Sequence, residues 1–129
     1  MTSYRILLAD DDAHFRGLIE HVLTEAGFDV RCVKGGDEAL VFLKNQRVDM
    51  AILDGAMPNL DGFQVLRAMR SNPRTRAIPV MMLTSLRQAS HLKEAMDAGA
   101  TDYLTKPVSP KRLVTRLRAR LREDRVIWV

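Results

Sequence analysis

The chain has 129 residues and a formal net charge of +4, with 47% hydrophobic and 28% charged residues, which suits one globular domain with a sizeable core. No apolar run approaches the length that spans a bilayer, and the N-terminal one is too short for a signal peptide, so we expect a cytoplasmic protein. The single cysteine, Cys32, excludes an internal disulfide and a cysteine-rich metal site, and its apolar neighbours predict a buried thiol.

Short apolar runs alternate with helical patterns along the whole chain. A short continuous apolar run predicts a buried strand, whereas apolar residues that recur every three or four positions predict a helix. Gly27, Pro73 and Gly99 mark helix ends, and Ser109-Pro110 marks a helix start. In chain order, the predicted elements are a strand at 6–9, a helix around 15–23, a strand at 28–33, a turn at Gly35-Gly36, a helix around 39–43, a strand at 50–53, a helix around 63–69, a strand at 80–83, a helix around 92–96, a strand at 102–105 and a helix around 113–121.

Five strand–helix units in strict alternation imply an α/β fold. Such a chain forms a three-layer, doubly wound parallel sheet of five strands, with helices on both faces. We divide the chain into one domain at 1–122 and a C-terminal tail at 123–129. The tail has an apolar end at 126–129, which either docks on the domain or begins a linker.

Acidic, basic and hydroxyl side chains follow four of the predicted strands. In open parallel sheets, functional residues collect at the C-terminal ends of the strands. Taken singly, each has an ordinary explanation: Asp12 suits a helix N-cap, Asp54 a turn and Lys106 a solvated charge. These explanations predict no shared edge, so the joint occurrence favours one site. The residues concerned are Asp10, Asp11 and Asp12 after the first strand, Asp54 after the third, Thr84 and Ser85 after the fourth, and Lys106 after the fifth.

The residue types at this edge indicate phosphoryl transfer. Carboxylates held close together repel one another unless one is protonated or a cation lies between them. Oxygen ligands without a cysteine or histidine cluster favour Mg²⁺ over Zn²⁺. Asp54 stands alone on a central strand and is the best nucleophile, whereas Asp10 and Asp11 are better placed to hold the metal. A lysine ammonium and a threonine hydroxyl, from Lys106 and Thr84, would stabilise the phosphoryl oxygens.

Four segments resemble a known family. The chain is similar to receiver domains of two-component response regulators over essentially its whole length, and most similar to receivers of winged-helix transcription regulators. The matching segments are ILLADDD at 6–12, LDGAMPNLDG at 53–62, LTS at 83–85 and GATDYLTKP at 99–107. The resemblance implies the flavodoxin-like receiver fold with the strand order 2-1-3-4-5.

The resemblance also implies a site and its partners. Asp54 would accept a phosphoryl group from a phosphohistidine on a sensor histidine kinase or a histidine phosphotransfer protein. Thr84 and Lys106 would bind the phosphoryl oxygens, and the Lys106-Pro107 peptide bond would be cis. The implied magnesium ligands are Asp11, Asp54 and the backbone carbonyl of Ala56, with Asp10 acting through a metal-bound water.

Phosphorylation of such a domain would act as a switch. Thr84 would shift toward the phosphoryl group and Tyr103 would turn inward, which reshapes the face of the fourth helix, fifth strand and fifth helix. A homodimer through this face is implied, and Asp102 and Arg116 suit its charge pairs. Arg112, however, stands where an acid is common in the family.

Two apolar residues depart from the pattern of many members. Ala56 and Leu86 stand where a polar residue often helps water reach the phosphate. We therefore expect slow self-dephosphorylation, in a phosphoacceptor that catalyses its own magnesium-dependent phosphotransfer and is not a turnover enzyme. A phosphate half-life of seconds would contradict this expectation.

Three other functions are weighed against this one. A receiver-like scaffold would bind partners without phosphorylation, but the acid, threonine and lysine set is complete. A small phosphatase with an Asp nucleophile needs a second acid two residues later, where Ala56 stands. The arginine-rich last helix suggests nucleic-acid binding, but its apolar stripe must face the sheet, so a solvated face is favoured. Nucleic acid would then be bound only through an effector domain absent from this chain.

Overall fold

Five strands and five helices alternate along the chain in the computed structural model, which describes residues 3–124, with side chains for residues 3–121. The strands are β1 (Arg5–Ala9), β2 (Asp29–Val33), β3 (Met50–Leu53), β4 (Val80–Thr84) and β5 (Asp102–Thr105). The helices are α1 (Ala13–Glu25), α2 (Gly36–Asn45), α3 (Gly62–Ser71), α4 (Ala89–Asp97) and α5 (Pro110–Asp124).

The strands form one parallel sheet in the order β2-β1-β3-β4-β5, which confirms the predicted fold class and strand order. Successive residues of a strand point to opposite faces, so a sheet covered on both sides has two apolar cores. Ile6 and Leu8 of β1 belong to the core that α1 and α5 cover. Leu7 and Ala9 belong to the core on the opposite face, which α2, α3 and α4 cover. The three layers follow from this alternation.

The ends of the helices follow the signals in the sequence. The Asp12 carboxylate accepts hydrogen bonds from two backbone N–H groups in the first turn of α1, as an N-cap does. Gly27 and Gly99 follow α1 and α4 with φ angles of +97° and +101°, in the left-handed region that favours glycine. Ser109 Oγ accepts from the backbone N–H of Arg112 at the start of α5.

Two local expectations are wrong. Gly36 is the first residue of α2 and does not lie in a turn; it is buried, and a Cβ there would lie 2.2 Å from the backbone oxygen of Leu60. Cys32 is only half-buried, because β2 is an edge strand of the sheet. The apolar end at 126–129 lies outside the described residues. No helix within residues 3–124 is both long and apolar enough to cross a membrane.

Candidate functional site

The backbone brings the first two acidic segments together. β1 and β3 are neighbours in register, with Ala9 paired to Leu53, so the residues that follow them lie side by side. The Asp54 N–H donates to the carbonyl of Ala9 at 3.0 Å, and the Asp10 N–H donates to Val33 at 3.2 Å. Parallel strands therefore deliver Asp10 and Asp54 to the same edge of the sheet.

Three carboxylates meet at this edge. Asp10, Asp11 and Asp54 each offer one oxygen, and these oxygens all lie within 4.8 Å of one another. Asp10 and Asp54 are buried, with 1% and 6% of their surface exposed, whereas Asp11 is exposed. Local backbone N–H groups fix the two buried carboxylates: Ala56 N donates to Asp54 Oδ1 at 3.0 Å, and Asp12 N donates to Asp10 Oδ1 at 2.9 Å.

Lys106 joins the cluster from the end of β5. Its Nζ donates to Asp10 Oδ2 at 2.8 Å and to Asp54 Oδ2 at 3.2 Å. The peptide bond between Lys106 and Pro107 is cis, as the resemblance to receiver domains implies. The same Nζ lies 4.0 Å from the ring centroid of Phe15 in α1. One ammonium thus contacts three residues from two segments that are far apart in the chain, the segment from Asp10 to Phe15 and the end of β3.

The electrostatics of the cluster favour a further cation. Burial raises the pKa of Asp10, and the neighbouring charge of Asp54 adds to this, although the hydrogen bond from Lys106 opposes it. Burial alone would lower the pKa of Lys106, but the bond to Asp10 and the charge of Asp54 outweigh it, so the pKa is raised and the ammonium stays charged. Three carboxylates and one ammonium leave excess negative charge. The donors are all oxygens, which fits Mg²⁺.

Thr84, the last residue of β4, and Tyr103, in β5, are connected through Leu86. Thr84 is fully buried, and its Oγ1 accepts from the backbone N–H of Leu86 at 3.3 Å. Tyr103 is half-buried, and its Oη donates to the carbonyl of Leu86 at 2.7 Å. Within the described residues, no hydrogen bond joins Thr84 Oγ1 to Asp54 or to Lys106. The backbone of one residue, Leu86, therefore contacts both predicted switch residues, through its N–H and its carbonyl group.

Asp102, at the start of β5, is engaged within its own chain. Arg116 donates to it through Nε at 2.9 Å and also through Nη2, and Arg120 donates at 3.3 Å. Burial alone would raise the pKa of Asp102, but these bonds and one from the Tyr103 N–H lower it. The pairing of Asp102 with Arg116 is thus present inside one molecule.

Sequence reasoning missed three residues that touch the site. Phe15 contacts the Lys106 ammonium, Arg16 donates to the backbone carbonyl of Asp10 at 2.7 Å, and Arg87 donates to that of Lys106. Phe15 and Arg16 lie in the first turns of the helix that follows the acidic segment, and this proximity is the signal that could have found them. Arg87 has no such signal, because its partner lies on another loop.

The fold and the site define a class of protein: a doubly wound α/β domain with a lysine-bridged acidic site at the C-terminal ends of its strands. The sequence model of the response regulator receiver domain matches residues 6–118. The chain belongs to this family.

Relatives and solved structures agree with this assignment. The chain is 41% identical over 117 residues to the transcriptional regulatory protein GltR of Pseudomonas aeruginosa, covering 91% of this chain and 48% of that protein. A putative response regulator from Chloroflexus aurantiacus has a similar structure, with 35% identity, a TM-score of 0.89 and coverage of 93% and 98%. The receiver domain of sensor histidine kinase PA1611 from Pseudomonas aeruginosa, solved with a magnesium ion in its active site cleft, has 29% identity, a TM-score of 0.86 and the same coverage. The chain spans about half the length of the curated relatives it matches.

Proposed function

We propose that this chain is a phosphorylation-switched signalling domain that accepts a phosphoryl group on Asp54. The donor is a phosphohistidine on a sensor histidine kinase or a histidine phosphotransfer protein. The observation that carries the proposal is the convergence of Asp54 with Asp10 and Asp11 and with the ammonium of Lys106. Membership in the receiver family supports it.

Mg²⁺ is the proposed cofactor, and when bound it would neutralise charge on the phosphoryl oxygens. Asp11, Asp54 and the carbonyl of Ala56 would hold it directly, and Asp10 would act through a water. The support is the cluster of carboxylates, their excess negative charge and the magnesium ion described for the similar PA1611 receiver.

The transfer itself is a displacement at phosphorus. A carboxylate oxygen of Asp54 attacks the phosphorus, the P–N bond to the donor imidazole breaks, and the electron pair stays on the imidazole nitrogen. The product is an acyl phosphate. Lys106 already donates to the Oδ2 atoms of Asp10 and Asp54, so its ammonium is within reach of a phosphoryl oxygen bound to Asp54. Thr84 would supply a hydroxyl hydrogen bond to another phosphoryl oxygen.

The switch begins at Thr84. If its hydroxyl turns to the phosphoryl group, it gives up the hydrogen bond from the Leu86 N–H. Since the Leu86 carbonyl accepts from Tyr103 Oη, a shift of the Leu86 backbone would transmit the change to the ring of Tyr103. The face of α4, β5 and α5 then changes shape. This face would act as a two-state element whose equilibrium is shifted by the one charged phosphoryl group.

We propose slow self-dephosphorylation, since Ala56 and Leu86 offer no polar side chain to guide water to the phosphate. Phosphate loss from the isolated, phosphorylated chain should take minutes or longer, whereas Leu86→Glu should shorten its lifetime. The measurement follows the phosphorylated fraction by intact mass after removal of the donor. A wild-type half-life of seconds would contradict the proposal.

Further expectations concern the protein as a whole. We propose that residues 1–122 form the receiver domain, that the protein is cytoplasmic, and that nucleic acid is bound only through an effector domain outside this chain. A homodimer through α4, β5 and α5 is also proposed. Its charge pairs would have to draw on Asp102 or Arg116, which already bind each other within one chain.

The test is phosphorylation with acetyl phosphate. Intact mass should increase by one phosphoryl group in the presence of Mg²⁺, and the increase should be lost with EDTA and in Asp54→Asn. Asp49→Asn, at an acid remote from the cluster, serves as the control and should be phosphorylated normally. An unmodified wild type that nevertheless binds a partner would favour a scaffold, and steady turnover of a chromogenic phosphate ester would favour a phosphatase.

A further inference from the structure

The ammonium of Lys106 has three N–H donors, and the structure shows a partner in three directions. Two are the carboxylates of Asp10 and Asp54, at 2.8 and 3.2 Å. The third contact is the ring of Phe15, whose centroid lies 4.0 Å from Nζ. This distance is within the range in which a cation is attracted to the negative face of an aromatic ring.

Phe15 is fixed in place from two sides. Its backbone N–H donates to the capping carboxylate of Asp12 at 3.1 Å, which anchors the first turn of α1 next to the acidic segment. Its ring is partly buried against the apolar core formed by α1, α5 and the sheet. The ring therefore covers the α1 side of the site. The ring and the two carboxylates together cover the Lys106 side chain, of which only 17% is exposed.

We propose that Phe15 is a positioning residue for phosphoryl transfer, which holds the Lys106 ammonium at the site through a cation–π contact. The proposal rests on the proposed function, because the ammonium matters there for the charge that it places near the phosphoryl oxygens. The role of Phe15 is to hold Lys106, and it takes no part in bond making or breaking.

The ring differs from the other two partners in one respect. Asp10 and Asp54 are also the groups that would face a divalent cation and the incoming phosphoryl group, so their bonds to Lys106 must change during the reaction. A phenyl ring does not coordinate Mg²⁺ or accept the phosphoryl group, so its attraction for the ammonium remains while those bonds change. A preorganised charge of this kind stabilises a transition state without reorganisation at the moment of reaction.

Fluorination of the ring tests the contact without changing the shape of the side chain greatly. Each fluorine withdraws electron density from the ring face and weakens its attraction for a cation. We expect the rate constant of phosphorylation by acetyl phosphate to fall progressively when residue 15 is Phe, monofluoro-, difluoro- and pentafluorophenylalanine. The total decrease should be on the order of 3- to 30-fold. The same analogues at Phe28, a buried ring of the same core that follows α1, serve as the control and should leave the rate unchanged.

A spectroscopic measurement reports the contact independently of activity. Protons at the end of the Lys106 side chain lie over the ring face, so their NMR resonances should be shifted upfield. The shift should be lost in Phe15→Leu and kept in Phe15→Tyr. Thermal unfolding followed by circular dichroism establishes that each variant is folded.

The outcomes separate this inference from the proposed function. If the wild type is phosphorylated but its rate is the same across the fluorinated series, the positioning role is wrong. The same holds if the Lys106 resonances show no ring-current shift. If the wild type is not phosphorylated at all while the ring-current shift is present, the contact exists and the proposed function fails.

Discussion

Gly62→Ala should disturb the phosphoacceptor directly. Gly62 is the first residue of α3 and is buried against the backbone of Asp54. A Cβ at this position would lie 2.2 Å from the carbonyl oxygen of Asp54, 2.8 Å from its carbonyl carbon and 3.1 Å from Met82 Cε. Real Cβ atoms essentially never come closer than 3.0 Å to another atom, so α3 and the end of β3 must separate by at least 0.8 Å.

The size of this shift sets the expected effects. Overpacking of this kind costs about 1–3 kcal/mol of stability. A displacement on the order of 1 Å at a reacting group can lower a rate by about 100-fold, so we expect phosphorylation to be about 10- to 100-fold slower. Urea unfolding followed by circular dichroism measures the first effect, and acetyl phosphate labelling followed by intact mass measures the second.

Gly17→Ala is the matched control. Gly17 lies within α1, and a Cβ there would meet nothing within 4 Å. Alanine in a helix is favoured over glycine by about 0.5–1 kcal/mol, so this variant should be slightly more stable and equally active. A Gly62→Ala protein as stable and as active as the wild type would refute the close approach of α3 to Asp54.

Three further substitutions or treatments have defined outcomes. Because the pKa of Asp102 is lowered, its ionised form stabilises the folded state above pH about 4, and this stabilisation is lost as the pH falls through the folded pKa. Asp102→Asn should therefore lower the free energy of unfolding by about 1–3 kcal/mol at pH 7. The difference between the variant and the wild type should narrow in urea titrations below pH about 4. The raised pKa of Asp10 has the opposite effect on stability. Ionisation is disfavoured in the folded state, so stability falls as the pH rises through that pKa. Asp10→Asn should therefore raise Tm at pH 7 in EDTA, and a lower Tm would contradict the burial and the repulsion from Asp54 that raise this pKa. Burial raises the pKa of Cys32 from 9.0 to about 11. At pH 8 its thiol should therefore react with a disulfide reagent about 100-fold more slowly in the native protein than in urea. Equal rates would show that the thiol is not shielded.

The fold could be predicted from the sequence because its signals are local. The buried strands are short apolar runs, and Asp12, Gly27 and Gly99 mark helix ends through their own backbone chemistry. Once the alternation of strands and helices indicates a parallel sheet, residues that follow the strands must share an edge. That geometry is why Asp10, Asp54 and Lys106 could be brought together from sequence alone.

The parts that could not be predicted depend on side chains that meet across the fold. The distance between Phe15 and Lys106 depends on how α1 packs beside the end of β5, which no local pattern specifies. Arg87 reaches a carbonyl on a loop 19 positions away in the chain. The pair of glycines at 35 and 36 predicts a turn, because such pairs usually mark one, but Gly36 begins α2. The reason for glycine there is the close approach of Leu60, which only the packed structure reveals.

The central claim is that Asp54 carries the phosphoryl group, and chemical trapping tests it most directly. Borohydride reduces an acyl phosphate on aspartate to homoserine, and tandem mass spectrometry of the digested protein locates that residue. After treatment with acetyl phosphate and Mg²⁺, homoserine should be found at position 54 and should be absent when the donor is omitted. Homoserine at position 10 or 11, or at none of the three acids in a protein whose mass has increased, would contradict the account.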